Sequence, residues 1–229
     1  MLQRKLSIIL LIVLTIFTIL DFLFVEWFIT PGFIELEERD SFDNVIRCVE
    51  VLDRELFHLK AFVLDWAAWD DTYRYIEERN EDYTDSNLGY NTFENNKLNI
   101  ISLKNTNSEI VWSSGYDLEK EEKVYCQEVR DFFLKLPYLE TMEESFATLI
   151  NTEEGIMLAA VSAILKSDGS GPSKGIILMA KLLDDEYLDL LKSQVKLDFS
   201  LEAYNPHDFD TGLVKKNFGD KIVFYDKSN

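Results

Sequence analysis

In the segment Asp65–Leu88, DWAAWDDTYRYIEERNEDYTDSNL, a carboxylate lies among large aromatic residues. Trp66, Trp69 and Tyr73 recur at spacings of three and four, which sets them on one face of a helix. Asp70 falls inside the same stripe. A half-buried carboxylate costs free energy unless something pairs with it. Arg74, one turn on, or nearby backbone could serve. The alternative is recognition, in which Asp70 holds a cation or amine against the rings by charge and cation–π attraction. Trp66, Trp69, Asp70, Tyr73 and Arg74 would then form the helix wall of a pocket. Tyr83, Asn87 and Tyr90 would form its lid, and Trp112 its sheet side. For Trp66 and Trp69 the competing reading is plain core packing, whereas Tyr83 and Asn87 are expected to be exposed or ligand-facing.

Groups that could catalyse a reaction fall short of doing so. Asp210-Thr211-Gly212 spells the aspartic-protease triplet, but that chemistry needs two such carboxylates sharing a proton. The pairs Asp70/Asp71 and Glu77/Glu78 are adjacent on a helix and point to different sides, so neither converges on one substrate. Ser167–Gly175, SDGSGPSKG, lacks the spacing of a phosphate-binding loop and joins two strands. Asp208-Phe209-Asp210 opens like a calcium loop with no acid to close it. With no CxxC and only His58 and His207, a zinc site has no support. The expectation is of a protein without catalytic, cofactor or metal residues, and an anchored hydrolase using the acidic loop is the weakest reading.

The elements that must position the aromatic stripe begin at a membrane. From Leu6 to Leu20 every residue is apolar, Ser or Thr, and Phe22–Val25 and Trp27–Ile29 continue the run. That length spans a bilayer core. Arg4 and Lys5 precede it and no basic residue follows until Arg39, so the positive-inside rule places the N-terminus in the cytoplasm and the bulk outside. A cleaved signal peptide would have a shorter apolar region ending in small residues, whereas bulky Phe, Trp and Leu continue here. The first 32 residues are neutral, so the net charge of −19 lies entirely beyond them. So acidic a surface repels nucleic acid and anionic headgroups.

About 195 residues remain outside the membrane, enough for one core. At 47% hydrophobic and 13% aromatic, the chain is globular. Cys48 and Cys126 make no disulfide framework; both lie in helical patterns, and an oxidising exterior would still permit them to pair. Pro31 and Gly32 predict a joint, after which Ser41 is positioned to cap a long helix. Phe42, Val45, Val49, Leu52, Leu56, Leu59, Val63 and Trp66 alternate at spacings of three and four, an unbroken heptad stripe. A second line, Ile46, Cys48, Val51, Phe57, Phe62 and Leu64, widens it. One helix with two partners explains this: its own sheet, and a second protomer in a parallel homodimer. A broad core-facing helix in a monomer is the alternative.

Asn80–Asn96 reads as an ordered loop or a broken helix. Leu98–Leu103 and Glu109–Ser113 predict a hairpin around KNTNS, and Tyr125–Leu136 a helix ended by Pro137. Phe146–Asn151, Ile156–Leu165 and Ile176–Leu182 predict strands, Asp184–Lys192 a short helix, and Phe199–Tyr204 and Lys221–Tyr225 weaker strands. The fold class is α+β, a long helix packed on an antiparallel sheet of five or six strands. The expected divisions are an anchor at 1–30, a juxtamembrane helix at 33–64, and one extracellular domain at 65–229.

The run WAAWDDTYRYIEERNEDYTDSNL, the later GIMLAAVSAILKSDGSGPSKGIILMAKLL from Gly155, and the order of elements between them resemble the fourth class of CHASE sensory domains. The resemblance covers roughly Phe42 to Leu191. It implies a PAS/Cache-like input module of a prokaryotic receptor, chiefly a histidine kinase or diguanylate cyclase, that binds an unknown small molecule. Receptors of this kind return through a second membrane helix to an output module. No second apolar span, GGDEF-type loop or ATP-binding glycine motif occurs up to Asn229. The expectation is therefore a truncated receptor or a sensor acting through a membrane partner. The rival class is a structural or adhesive surface protein that assembles through the heptad helix without a ligand.

Overall fold

The computed structural model describes residues 2–202, 213–218 and 221–226. The chain divides into two compact units, Met1–Arg47 with Pro206–Asn229, and Cys48–Asn205.

Helix α1 (Leu2–Phe24) is followed by a π-helical turn, Val25–Ile29, and by α2 (Thr30–Ala67). The hydroxyls of Thr15 and Thr18 donate to the carbonyls of Leu11 and Leu14 at 2.8 and 2.9 Å, so these side chains add no unsatisfied polar group to an apolar helix. An 18-residue window here has a mean hydropathy of 3.0 and none of it is buried, which makes this one helix long and apolar enough to cross a membrane. Pro31 and Gly32 do not form the expected joint, and Ser41 lies within α2 instead of capping it. The wide π turn absorbs the proline: it relieves the clash that a proline ring makes with the preceding turn.

In the second unit α2 lays its stripe on a sheet. Val51, Leu52, Leu59, Val63 and Trp66 are buried, and Leu56 and Phe62 pack on the same core. The second apolar line splits, since Val51 and Phe62 join the core whereas Phe57 is 69% exposed. The sheet therefore takes the stripe from Leu52 onward, and that part is closed to a second protomer. Trp69 is extended (φ −84°, ψ 132°) and breaks the helix, so α3 (Asp70–Glu78) is a separate element. Residues 80–96 are the broken helix, folded as α4 (Glu81–Asn87), capped by the Asn80 side-chain oxygen Oδ1, which accepts from the Tyr83 amide, and α5 (Tyr90–Asn96).

The sheet is built from β1 (Ile100–Asn105), β2 (Ile110–Asp117), β3 (Glu122–Lys123), β4 (Phe146–Thr152), β5 (Gly155–Ala163) and β6 (Gly175–Leu182). Its order is β3-β2-β1-β6-β5-β4, with every neighbouring pair antiparallel. Helix α6 (Gln127–Lys135) and a short 3-10 turn at Met142–Glu144 lie between β3 and β4, and α7 (Asp185–Val195) follows β6. Side chains alternate between faces along each strand. Ile101, Leu103, Leu158, Ala160, Ile177 and Met179 meet α2–α5 and α7, while Ile100, Ala159, Val161, Ile176, Leu178 and Ala180 meet α6. Because both faces are covered, the central strands read as continuous apolar runs.

Lys104, 2% exposed, faces the α6 side and donates to the carbonyls of Phe133 and Leu136, both at 2.8 Å. Those carbonyls are left open where α6 ends, and a cation there also suits the helix dipole. No buried side-chain nitrogen or oxygen lacks a partner among the described residues, and no disulfide joins Cys48 to Cys126. Phe199–Glu202 carries no regular structure, so the strand expected from Phe199 is absent over its described part. The strand expected at Lys221 is present as β8 (Lys221–Asp226), paired with the unexpected β7 (Leu213–Phe218) in the first unit. His207, Asp208–Asp210, Thr211 and Gly212 lie outside the described residues.

Candidate functional site

The aromatic residues singled out in the sequence are brought together chiefly as core. Trp66 and Trp69 stack at 4.7 Å across the break between α2 and α3. Tyr73 is buried and donates to the carbonyl of Pro172 at 3.2 Å, with Lys174 4.9 Å from its ring centre. Tyr83 is 4% exposed, not the exposed group expected. Its ring stacks on Tyr75 at 4.6 Å and its hydroxyl lies 2.7 Å from that of Thr72, so an amphipathic side chain is fully used inside. Asn87 donates to the carbonyl of Tyr83 at 3.1 Å, Tyr90 meets Tyr116 edge-on at 5.1 Å, and Trp112 packs near Phe93 at 6.3 Å.

Asp70 opens α3 and does not sit mid-helix. Its carboxylate accepts from the Ser167 amide at 3.0 Å and the Ser167 hydroxyl at 3.1 Å, while Arg74 pairs with Asp71. The first turn of α3 thus holds the 164–174 loop, helped by the Leu165 amide, which donates to the Ala67 carbonyl at 3.1 Å. The local signal for this geometry was the pair Asp70-Asp71, which suits a helix start as well as an aromatic face.

Open space lies elsewhere. A cleft of about 660 Å³ sits where β6 turns into α7, at the end of the sheet away from Ala67. Its volume falls in the range of small-molecule sites. Val124, Ile156, Met157, Leu182, Leu183 and Leu188 supply apolar wall, and Tyr116 links it to Tyr90. Five carboxylates line it, those of Asp117, Glu119, Glu154, Asp184 and Asp185, against the single cation of Lys120. Two are engaged. Asp117 accepts from the Lys120 ammonium at 2.7 Å and from the amides of Glu119 and Lys120, which holds its carboxyl below the usual range. Asp184 accepts from the Tyr187 amide at 2.8 Å and caps α7. Glu119, Glu154 and Asp185 carry no side-chain hydrogen bond or ion pair among the described residues. Asn99 braces the cleft floor, donating to the Tyr116 carbonyl at 3.1 Å and accepting from the Leu182 amide at 2.7 Å.

At the cleft's edge the Cys126 sulfur and carboxylate oxygens of Glu128 and Glu154 lie within 4.8 Å of one another. Three donors are one short of a structural zinc site. Burial pushes the Cys126 thiol's pKa up, which opposes the thiolate that a metal requires. Sequence reading missed this cleft because its lining comes from six separate segments. The Asp184-Asp185 pair was visible only as a helix start.

An antiparallel sheet covered by helices on both faces, with an acidic, apolar-walled cleft at one end, defines an α+β domain. The chain belongs to the CHASE4 domain family, whose model matches residues 51–202. A CHASE4 domain is a sensory input module, not a catalytic one. The chain is also 22% identical over 185 residues to the methanogenesis regulatory histidine kinase FilI of Methanothrix harundinacea (strain 6Ac). That alignment takes in 80% of this chain and 21% of the kinase, so the chain spans about a fifth of the relative's length.

Proposed function

We propose that this chain is the extracellular, signal-sensing input module of a membrane-anchored prokaryotic receptor, with its small ligand held in the cleft at the β6–α7 corner. The observation that carries the reading is the match to a sensory family over residues 51–202, the span that builds the sheet, its helices and the cleft. The strand order, with β1 central and β6 beside it, fits a PAS/Cache-like plan. The basic residues Arg4 and Lys5 ahead of the apolar run support a cytoplasmic N-terminus. Residues 1–30 serve as anchor, 33–64 as juxtamembrane helix and 65–229 as sensory domain. That the relative is a histidine kinase supports a kinase as the output to which such a module connects.

Glu119, Glu154 and Asp185, without a side-chain partner among the described residues, suit an amine or other cation, with the apolar wall taking its hydrocarbon part. Trp66, Trp69, Asp70, Tyr73, Arg74, Tyr83, Asn87 and Trp112 take a supporting role in this reading, and Tyr90 borders the cleft through Tyr116. A homodimer through α2 would use its exposed face, which carries Glu50, Arg54, Phe57, Ala61 and Asp65. The structural-surface-protein reading has less support from Leu52 onward, where the heptad stripe it relied on packs on the sheet; Phe42, Val45 and Val49 lie outside that core.

The test is a thermal-shift screen of the full chain in lipid nanodiscs against amines, quaternary ammonium compounds, amino acids and dicarboxylates. A ligand at a hundred times its Kd stabilises by about 2.7 kcal/mol. We expect an amine-bearing compound to raise Tm, and Glu154→Gln with Asp185→Asn to abolish the rise. A screen without a single shift, or a shift that survives both substitutions, overturns this assignment.

A further inference from the structure

Helix α7 touches both the cleft and the long helix. Its cap Asp184 and first-turn residues Asp185 and Leu188 line the cleft. Between them on the same turn, the Tyr187 hydroxyl donates to the Glu55 carboxylate of α2. At the far end of α7, the Gln194 side-chain oxygen accepts from Arg54, the neighbouring residue of α2. Lys181, the residue of β6 just before the cleft-lining Leu182, lies 5.0 Å from the Tyr187 ring centre, within cation–π range. A carboxylate–phenol hydrogen bond of this kind is stronger than a neutral one. Burial and the Glu55 carboxylate both push the Tyr187 pKa up, so the hydroxyl keeps its proton and remains a donor.

We infer that Tyr187 and Glu55 form the link by which occupancy of the cleft is passed to α2: the β6–α7 corner moves with the cleft's contents, and the hydrogen bond carries that movement to the long helix. The inference rests on the cleft being the sensing site. In the unlinked alternative, α7 is a cover that packs on α2 through Leu191 and transmits nothing specific. Tyr187 and Glu55 are thus positioning residues, and neither need touch the ligand. Coupling requires an element whose equilibrium both sites bias; α7 meets both and is hydrogen-bonded to α2, beside β5 and β6, which also line the cleft and pack on α2.

The test needs no ligand. Val124→Trp, on the cleft wall, fills the space with a tethered indole, and Val124→Leu is the milder filler if the first does not fold. Amide exchange of α2 residues 52–59 is then read by mass spectrometry on the full chain in nanodiscs. We expect filling to change that exchange several-fold in the otherwise native chain and to leave it unchanged in Tyr187→Phe, which keeps the ring but loses the donor. Glu55→Gln retains an acceptor and should preserve the response, whereas Glu55→Leu should abolish it. A response of equal size in the native and Tyr187→Phe backgrounds, or no response to either filler, overturns the link. The ligand screen is independent of these variants, so failure of the link and failure of the cleft as a binding site are told apart.

Discussion

Tyr83 shows how a side chain suited to recognition becomes a structural one. Its hydroxyl and that of Thr72 satisfy each other inside the core. Removing one partner strands the other, at a cost of about 1–3 kcal/mol. Thr72→Val should therefore destabilise by that amount in urea melts, and adding Tyr83→Phe should recover part of the loss because neither group is then unsatisfied. Burial also pushes the Tyr83 pKa up to about 12. Its folded value lies above its unfolded one, so the folded state holds the proton more tightly. That contribution is complete below about pH 10 and is lost as the pH rises toward 12. Tyr83→Phe should accordingly flatten the fall in Tm between pH 10 and 12; an unchanged slope would show that the hydroxyl titrates as freely as an exposed one. Asp70 teaches the same lesson from the polar side. Its carboxylate is used on Ser167, and the loop it holds covers Tyr73.

At the scale of elements, β1 and β6 approach each other closely at Gly175. A Cβ on Gly175 would stand 2.0 Å from the Lys104 carbonyl oxygen, in backbone that has nowhere to go. Gly175→Ala should cost about 3 kcal/mol or more, read as a drop in the denaturation midpoint. Gly169→Ala, in open space at φ +73°, is the comparison: it meets no atom and should cost only about 1 kcal/mol of backbone strain. Strands β4–β6, the first hairpin and α6 were all legible in the sequence, because long apolar runs bounded by turn residues leave few alternatives. The break at Trp69 was not. The stripe Trp66, Trp69 and Tyr73 fits one helix by spacing, yet the chain turns at Trp69 so that Asp70 can reach Ser167 and the Ala67 carbonyl can accept from Leu165. Those partners lie about a hundred residues along the chain, beyond the reach of any local pattern.

For the whole molecule, the apolar run at the N-terminus and the acidic remainder divide the chain chemically. The run is unburied over its most apolar window, and no charged residue falls between Leu6 and Leu20. The full chain should stay in the membrane pellet through alkaline carbonate extraction, and deletion of residues 1–29 should release it to the soluble fraction; a full chain that extracts would rule out a membrane span. By itself the sequence determined the class of fold, the membrane candidate and the family, because each is written in composition, periodicity or contiguous motif. Only the tertiary structure decided which aromatics are core, which face of α2 is spent, and where open space remains. Those depend on residues distant in sequence competing for the same partners, and a cleft is the space that their packing leaves unfilled.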